Sequence, residues 1–91
     1  MHDFPDRVSD TLIMGLIPET KLEILRMIQS EPTHGYALAR DLELSHGYIY
    51  THLKELREEG MVEVADERDG KKIYQLTSSG QYLLKAFDEA E

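Results

Sequence analysis

The chain has 91 residues, which suffices for one domain with one modest core but not for two. It lacks cysteine, so disulfides, thiolate catalysis and cysteine-based metal sites are excluded. The chain contains no run of 18 apolar residues, which is the length that a membrane-spanning helix requires. Residues 1–6 lack the basic and then apolar pattern of a secretory signal, and we therefore predict a cytoplasmic protein.

The net charge of −8 should repel a polyanion. However, residues 1–20 carry −3 and residues 81–91 carry −2, so most of the excess lies at the two ends. One interpretation places the acidity on a face remote from any nucleic acid. A salt-rich, halophilic cytoplasm would then screen these charges.

Two helices are predicted in the first half of the chain. Thr20-Lys21-Leu22-Glu23 forms a capping box, and the helix behind it should end near Ser30 because Pro32 disfavours helical geometry at Glu31. Thr33 is the expected N-cap of a short second helix. The buried stripe of that helix is Tyr36, Ala37, Leu38 and Leu42.

A third helix is predicted from Ser45 to Glu59, with Gly60 as its C-terminal glycine. Its spacing places Ile49, Leu53 and Leu56 on one buried face. Two helices joined by so short a turn are typical of a helix-turn-helix.

The hydrophobic period then changes from helix to strand. Residues 61–64 and 73–76 are rich in β-branched and aromatic residues, and Asp69-Gly70 between them predicts a type I′ hairpin turn. Thr77 caps a last helix. We predict an α+β, mainly α, winged helix-turn-helix over 19–77, with a three-helix core and a two-stranded wing, followed by a C-terminal helix over 78–91.

Residues 1–18 are expected to form an N-terminal helical arm that mediates dimerisation. Apolar residues recur there at intervals of four, and the last helix is apolar on more than one side. A two-fold dimer would present two recognition helices to successive major grooves of a roughly palindromic site. The predicted dimer interface comprises Phe4, Val8, Leu12, Leu16, Tyr82, Leu83 and Phe87.

Three groups of residues occur in a characteristic order between about 19 and 87. They are Pro32-Thr33-His34-Gly35-Tyr36, Gly47-Tyr48-Ile49-Tyr50 followed by Leu53-Lys54-Glu55-Leu56 and Glu59-Gly60-Met61-Val62, and Lys72-Ile73-Tyr74-Gln75-Leu76-Thr77 with Gly80. This pattern resembles the PadR family. The resemblance implies a winged-helix regulator of transcription, in most cases a repressor. The chain departs from the family at Thr51 and His46, where proline is common, and it has one C-terminal helix where larger members have several.

The third helix is the predicted recognition helix. Helical spacing places Gly47, Thr51 and Lys54 on the outward face of this helix. There they would contact base edges and phosphates of double-stranded DNA. The wing would contribute three cations to this DNA-binding surface, and the start of the second helix would contribute a tyrosine. The predicted DNA-binding residues are Ser45, His46, Gly47, Tyr48, Tyr50, Thr51, Lys54, Tyr36, Arg68, Lys71 and Lys72. Lys21, Arg40 and Arg57 lie among acids, and we expect them to form ion pairs at helical spacing.

Other classes of function are less well supported. His46 and His52 lie on different faces of one helix, and the chain has no glycine-rich phosphate loop or nucleophile elbow, so we predict no enzyme, metal or cofactor. A protein-binding winged helix without DNA specificity is the alternative that the charge favours. A small-molecule effector could bind among Phe4, Leu12, Tyr82 and Phe87, although dimer packing explains these residues equally well.

Overall fold

The computed structural model describes residues 19–90. The predicted order of elements is confirmed, with one short strand added. The predicted arm with Phe4, Val8, Leu12 and Leu16, and the last residue Glu91, lie outside the described residues. The elements are α1 (Glu19–Ser30), β1 (Thr33–His34), α2 (Gly35–Leu42), α3 (His46–Glu58), β2 (Val62–Arg68), β3 (Lys71–Leu76) and α4 (Ser78–Ala90).

Helix α1 ends where the sequence predicted but begins earlier. Thr20 is itself helical, so the predicted N-cap at this position is wrong. The last turn closes with the Glu31 N–H donating to the Met27 carbonyl at 3.1 Å, one residue before Pro32. No helix within 19–90 is long and apolar enough to cross a bilayer.

His34, rather than the predicted Thr33, caps helix α2. Its Nδ1 accepts a hydrogen bond from the Ala37 N–H at 3.0 Å. The backbone of His34 is extended (φ −103°, ψ 163°), so the same residue also pairs with Ile73 of β3, while Thr33 pairs with Tyr74. The predicted two-stranded wing is therefore part of a three-stranded antiparallel sheet in the order β1-β3-β2.

The predicted signals around α3 are confirmed. The Ser45 Oγ accepts from the Tyr48 N–H at 3.1 Å, which satisfies a backbone donor of the first turn. The helix ends at Glu58, and Gly60 has the left-handed φ of +78° that a terminating glycine tolerates best.

The hairpin turn also has the predicted geometry, since φ is +53° at Asp69 and +77° at Gly70. Both strands extend further toward the turn than the hydrophobic pattern indicated. A register shift between Val64 and Asp66 marks a β-bulge in β2, which lies at the edge of the sheet. Bulges of this kind discourage edge-to-edge association.

Helix α4 is joined closely to the end of α3. The Thr77 Oγ1 accepts from the Gly80 N–H at 3.1 Å and donates to the Gly60 carbonyl, and the Thr77 N–H donates to the Met61 carbonyl at 3.0 Å. A Cβ at Gly80 would collide with that Met61 carbonyl. Arg26 of α1 pairs with Asp88 of α4 at 3.1 Å, so α4 is also tied to α1.

One hydrophobic cluster lies between the three N-terminal helices, the inner face of the sheet and α4. Its buried members are Ile24, Leu25, Ile28, Leu38, Ala39, Ile49, Leu53, Leu56, Val62, Tyr74, Leu76 and Leu84. Burying each large aliphatic side chain contributes about 1.5–3 kcal/mol. The core therefore fixes one side of α3 firmly and leaves the other side to solvent.

Candidate nucleic-acid interface

Helix α3 has one buried and one exposed side, as its spacing predicted. The buried side includes Ile49, Leu53 and Leu56, each at most 1% exposed. On the opposite side, a Cβ added at Gly47 would meet no atom within 4 Å. The predicted residues of this helix that are exposed are Ser45, His46, Gly47, Tyr48, Tyr50, Thr51 and Lys54.

Tyr36 connects the beginnings of two helices with the wing. Tyr36 is 47% exposed, so its predicted place in the buried stripe of the second helix is wrong. Its ring lies 4.9 Å, centroid to centroid, from that of His46 at the start of α3. The Nζ of Lys71, next to the hairpin turn, lies 6.0 Å from the Tyr36 ring centroid, at the outer limit of a cation–π contact. Three sequence-predicted residues from α2, α3 and β3 thus form one continuous surface.

Tyr50 has a packing role in addition to the predicted one. Its ring lies over Gly35, where a Cβ would approach the ring atoms to 2.7 Å. Tyr50 as a whole is nevertheless 44% exposed and stays on the outer surface. Sequence reasoning did not identify Gly35 as the residue that makes room for this ring; the glycine between His34 and Tyr36 was the available signal.

The wing cations do not form a single cluster. Arg68 pairs with Lys71 across the turn, whereas Lys72 pairs with Glu67, and successive strand residues point to opposite faces. The Nε of Arg68 donates to the Asp66 Oδ2 at 3.1 Å. The Glu67 backbone N–H and then the Arg68 guanidinium hold the pKa of the Asp66 carboxyl below its usual value. Lys71 is the wing cation for which the described residues show a contact toward the start of α3, through Tyr36.

Lys21 of α1 neutralises two acids of the recognition helix. Its Nζ lies 3.0 Å from the Glu55 Oε1 and 3.3 Å from the Glu59 Oε2. The hydrogen bond from Lys21 lowers the pKa of Glu55. Partial burial acts to lower the pKa of Lys21, but the two carboxylates raise it above its ordinary value. Lys21 thus forms ion pairs, but the predicted helical spacing is wrong, because its partners lie on another helix.

His52 is a buried polar residue that sequence reasoning did not place in the core. The residue is 9% exposed, and neither ring nitrogen has a hydrogen-bond partner in the structure. Its ring packs edge-on against Tyr48 at 4.4 Å, and its Nδ1 lies 3.5 Å from the Glu55 Oε1. Within 19–90, no three histidine, aspartate or glutamate residues are grouped to hold a metal ion.

The predicted dimer residues on α4 differ in exposure. Tyr82 is 71% exposed and Leu83 is half-buried, so both retain surface for a partner. Phe87 is 1% exposed, and we assign it to the interior of the chain instead of an interface. An open cleft of about 560 Å³ lies beside Tyr82. Phe4 and Leu12 of the predicted effector pocket lie outside the described residues. The cleft is lined by Ile28, Gln29, Pro32, Gln75, Leu76, Gln81, Tyr82 and Lys85.

Solved structures share this fold. Staphylococcus aureus MepR in its complex with DNA superposes with a TM-score of 0.77 at 20% identity, covering 98% of this chain and 76% of MepR. Lactococcus lactis ZitR superposes with a TM-score of 0.71 at 17% identity over 81% of this chain. The chain spans only 52% of the length of ZitR.

Sequence comparison identifies the family. An uncharacterised helix-turn-helix-type transcriptional regulator of Methanocaldococcus jannaschii is 32% identical over 82 residues, which cover 85% of this chain and 86% of the relative. The sequence model of the PadR-like family of transcriptional regulators matches residues 24–86. The chain therefore belongs to the PadR-like family and is a DNA-binding transcriptional regulator with a winged-helix fold.

Proposed function

We propose that this protein represses transcription in the cytoplasm by binding a specific double-stranded DNA site as a homodimer. In this proposal α3 enters the major groove, and the hairpin between β2 and β3 contacts the flanking DNA. The observation that carries the proposal is the continuous exposed surface from the outer side of α3 through Tyr36 to Lys71.

The net charge of −8 is compatible with this role because two acids at the end of α3 are neutralised on one flank, while Glu58 is the acid of α3 that remains exposed beside Lys54. Lys21 engages Glu55 and Glu59 on the flank that faces α1. Lys54 is exposed, and within 19–90 neither it nor Lys71 forms an ion pair with a carboxylate. Both ammonium groups are therefore available for phosphates.

Exposed apolar surface on α4 supports the dimer. Tyr82 is 71% exposed, and tyrosine is enriched in subunit interfaces relative to the rest of a protein surface. In a two-fold dimer the two copies of α3 would lie about 34–36 Å apart, which matches successive major grooves. We expect Tyr82→Glu to shift the protein from dimer to monomer in sedimentation equilibrium. The exposed substitution Gln81→Glu is the matched control, and an unchanged dimer in both variants would contradict the assignment of α4.

The DNA site can be identified by selecting genomic fragments with the purified protein and aligning them for half-sites. Mobility-shift titrations on the selected duplex then test individual residues. We expect Lys71→Glu to weaken binding more than Lys72→Glu, because Lys71 lies against Tyr36 whereas Lys72 lies opposite Glu67. Equal, small effects of both substitutions would contradict the proposed placement of the wing.

The net charge also favours a second candidate function, a protein-binding winged helix without its own DNA specificity. The same selection separates the two candidates. Enrichment of no common sequence, together with duplex affinity that is unaffected by Lys54→Glu, would support a protein partner.

A further inference from the structure

Arg57 of α3 departs from the pairing expected for it. The residue is exposed, and it forms no ion pair with any carboxylate in 19–90. Glu55 and Glu59, its close neighbours in sequence, are held by Lys21. At 100° per residue, both acids lie about 160° around the helix from Arg57. Arg57 therefore projects from the opposite flank of α3.

That flank faces the hairpin. Arg57 follows Tyr50 by seven residues, which places both on one stripe of the helix. Burial raises the pKa of the Tyr74 hydroxyl in β3, and the neighbouring positive charge of Arg57 acts in the opposite direction. Arg57 thus lies at the seam between α3 and β3. On the surface of α3, Arg57 lines a shallow depression with Lys54 and Glu58 of the same helix.

We infer that Arg57 binds a backbone phosphate of the DNA strand that crosses the seam between α3 and the wing. This inference rests on the proposed function. If α3 occupies the major groove and the hairpin reaches the neighbouring groove, one sugar–phosphate strand separates the two grooves and must pass between these elements. A guanidinium has five N–H donors in a fixed fork. Contact with the Tyr74 hydroxyl leaves donors of Arg57 available for a phosphate.

The residue would therefore be a positioning contact that carries no sequence information of its own. Its loss should weaken binding to the selected site and to random duplex by the same factor. Glu58, which lies in the same depression, opposes a phosphate there, so Glu58→Gln should tighten binding to both duplexes.

The test measures the dependence of the DNA-binding constant on salt for the full chain. For Arg57→Gln we expect the slope of log K against log [KCl] to become shallower by about 0.9, the value for one lost phosphate contact on B-DNA. We expect about a tenfold loss of affinity at low salt. Arg57→Lys retains a cation and should recover most of the slope.

Arg40→Gln is the matched control, because it removes one positive charge from an exposed position of α2 that pairs only with the adjacent Asp41 among the described ion pairs. It reports the effect of net charge alone. Thermal unfolding of each variant separates binding from stability, and Glu58→Gln supplies a second variant whose effect has the opposite sign.

The possible outcomes separate the inference from the function on which it rests. Wild-type protein that shows no salt-dependent duplex binding would overturn the proposed function. Wild-type binding with a slope that Arg57→Gln changes no more than Arg40→Gln does would overturn only the phosphate contact at Arg57.

Discussion

Gly47 leaves the exposed side of α3 without a side chain at the point where the helix begins. A methyl group there would contact nothing in the protein. We therefore expect Gly47→Ala to raise the free energy of unfolding by about 0.5–1 kcal/mol, because alanine loses less backbone entropy in a helix. The same methyl would separate the helix backbone from DNA, so affinity for the selected site should fall.

Urea unfolding and mobility-shift titration measure these two effects separately. Gly80→Ala provides the contrast, since its methyl would collide with the Met61 carbonyl and should destabilise the fold by about 1–3 kcal/mol. Unchanged DNA affinity in Gly47→Ala would show that the backbone of α3 does not approach the duplex closely.

His52 places two unpaired ring nitrogens in the core. Burying polar atoms without hydrogen bonds costs free energy, and an apolar side chain of similar size avoids that cost. We expect His52→Leu to raise the free energy of unfolding by about 1 kcal/mol, as measured by urea denaturation. His46→Leu, on the exposed side, should change it by less than about 0.5 kcal/mol. A marked loss of stability in His52→Leu would indicate that the ring has a partner not seen in this structure.

Between elements, Lys21 links α1 to the recognition helix, and the link depends on pH. The pKa of Glu55 is lowered in the folded state, so its stabilising contribution is present at neutral pH and is lost as pH falls through the folded value. The pKa of Lys21 is raised, so its contribution is lost only when pH rises through that higher value.

We therefore expect Lys21→Gln to reduce stability at neutral pH and to converge with the wild type once pH falls below the lowered pKa of Glu55. Urea unfolding at several pH values measures the difference. Arg40→Gln is the control, because Arg40 contacts only its neighbour Asp41 among the pairs described. A difference that persists in acid would exclude the carboxylates as the origin of the effect.

Most elements could be predicted because their signals are local. The Ser45 cap, the left-handed turn at Asp69-Gly70 and the Thr77 cap each require particular residue types within a few positions. Strand β1 could not be predicted, since two residues carry no periodicity and pair with β3 only through the tertiary fold. The misassigned cap has the same origin, because His34 acts as both strand residue and cap.

The candidate interface was predictable only in part. Helical spacing correctly predicted that Gly47, Thr51 and Lys54 are exposed on the outer side of α3. The contacts of Tyr36 with His46 and Lys71 join residues from three elements, and the neutralisation by Lys21 joins residues 34 and 38 positions apart. No local pattern reports such contacts, and the pairing expected for Arg57 was wrong for that reason.

At the scale of the whole molecule, salt should act on folding and on DNA binding in opposite directions. A net charge of −8 on 91 residues makes the folded chain repel itself, and salt screens that repulsion. We expect the thermal midpoint to rise between about 0.05 M and 1 M KCl while duplex affinity falls. Differential scanning calorimetry and binding titrations in the same buffers measure both. A midpoint that falls with KCl would contradict the interpretation of the acidity as an adaptation to a salt-rich cytoplasm.

Thr77 couples the C-terminal end of α3 to the first turn of α4 through Gly60 and Met61, and Gly80 leaves no gap between them. These contacts fix the orientation of α4 relative to α3. A tilt of α4, such as the proposed packing of a second subunit on Tyr82 would cause, should therefore also tilt α3. In the proposed dimer, the packing of α4 would therefore set the relative orientation of the two copies of α3.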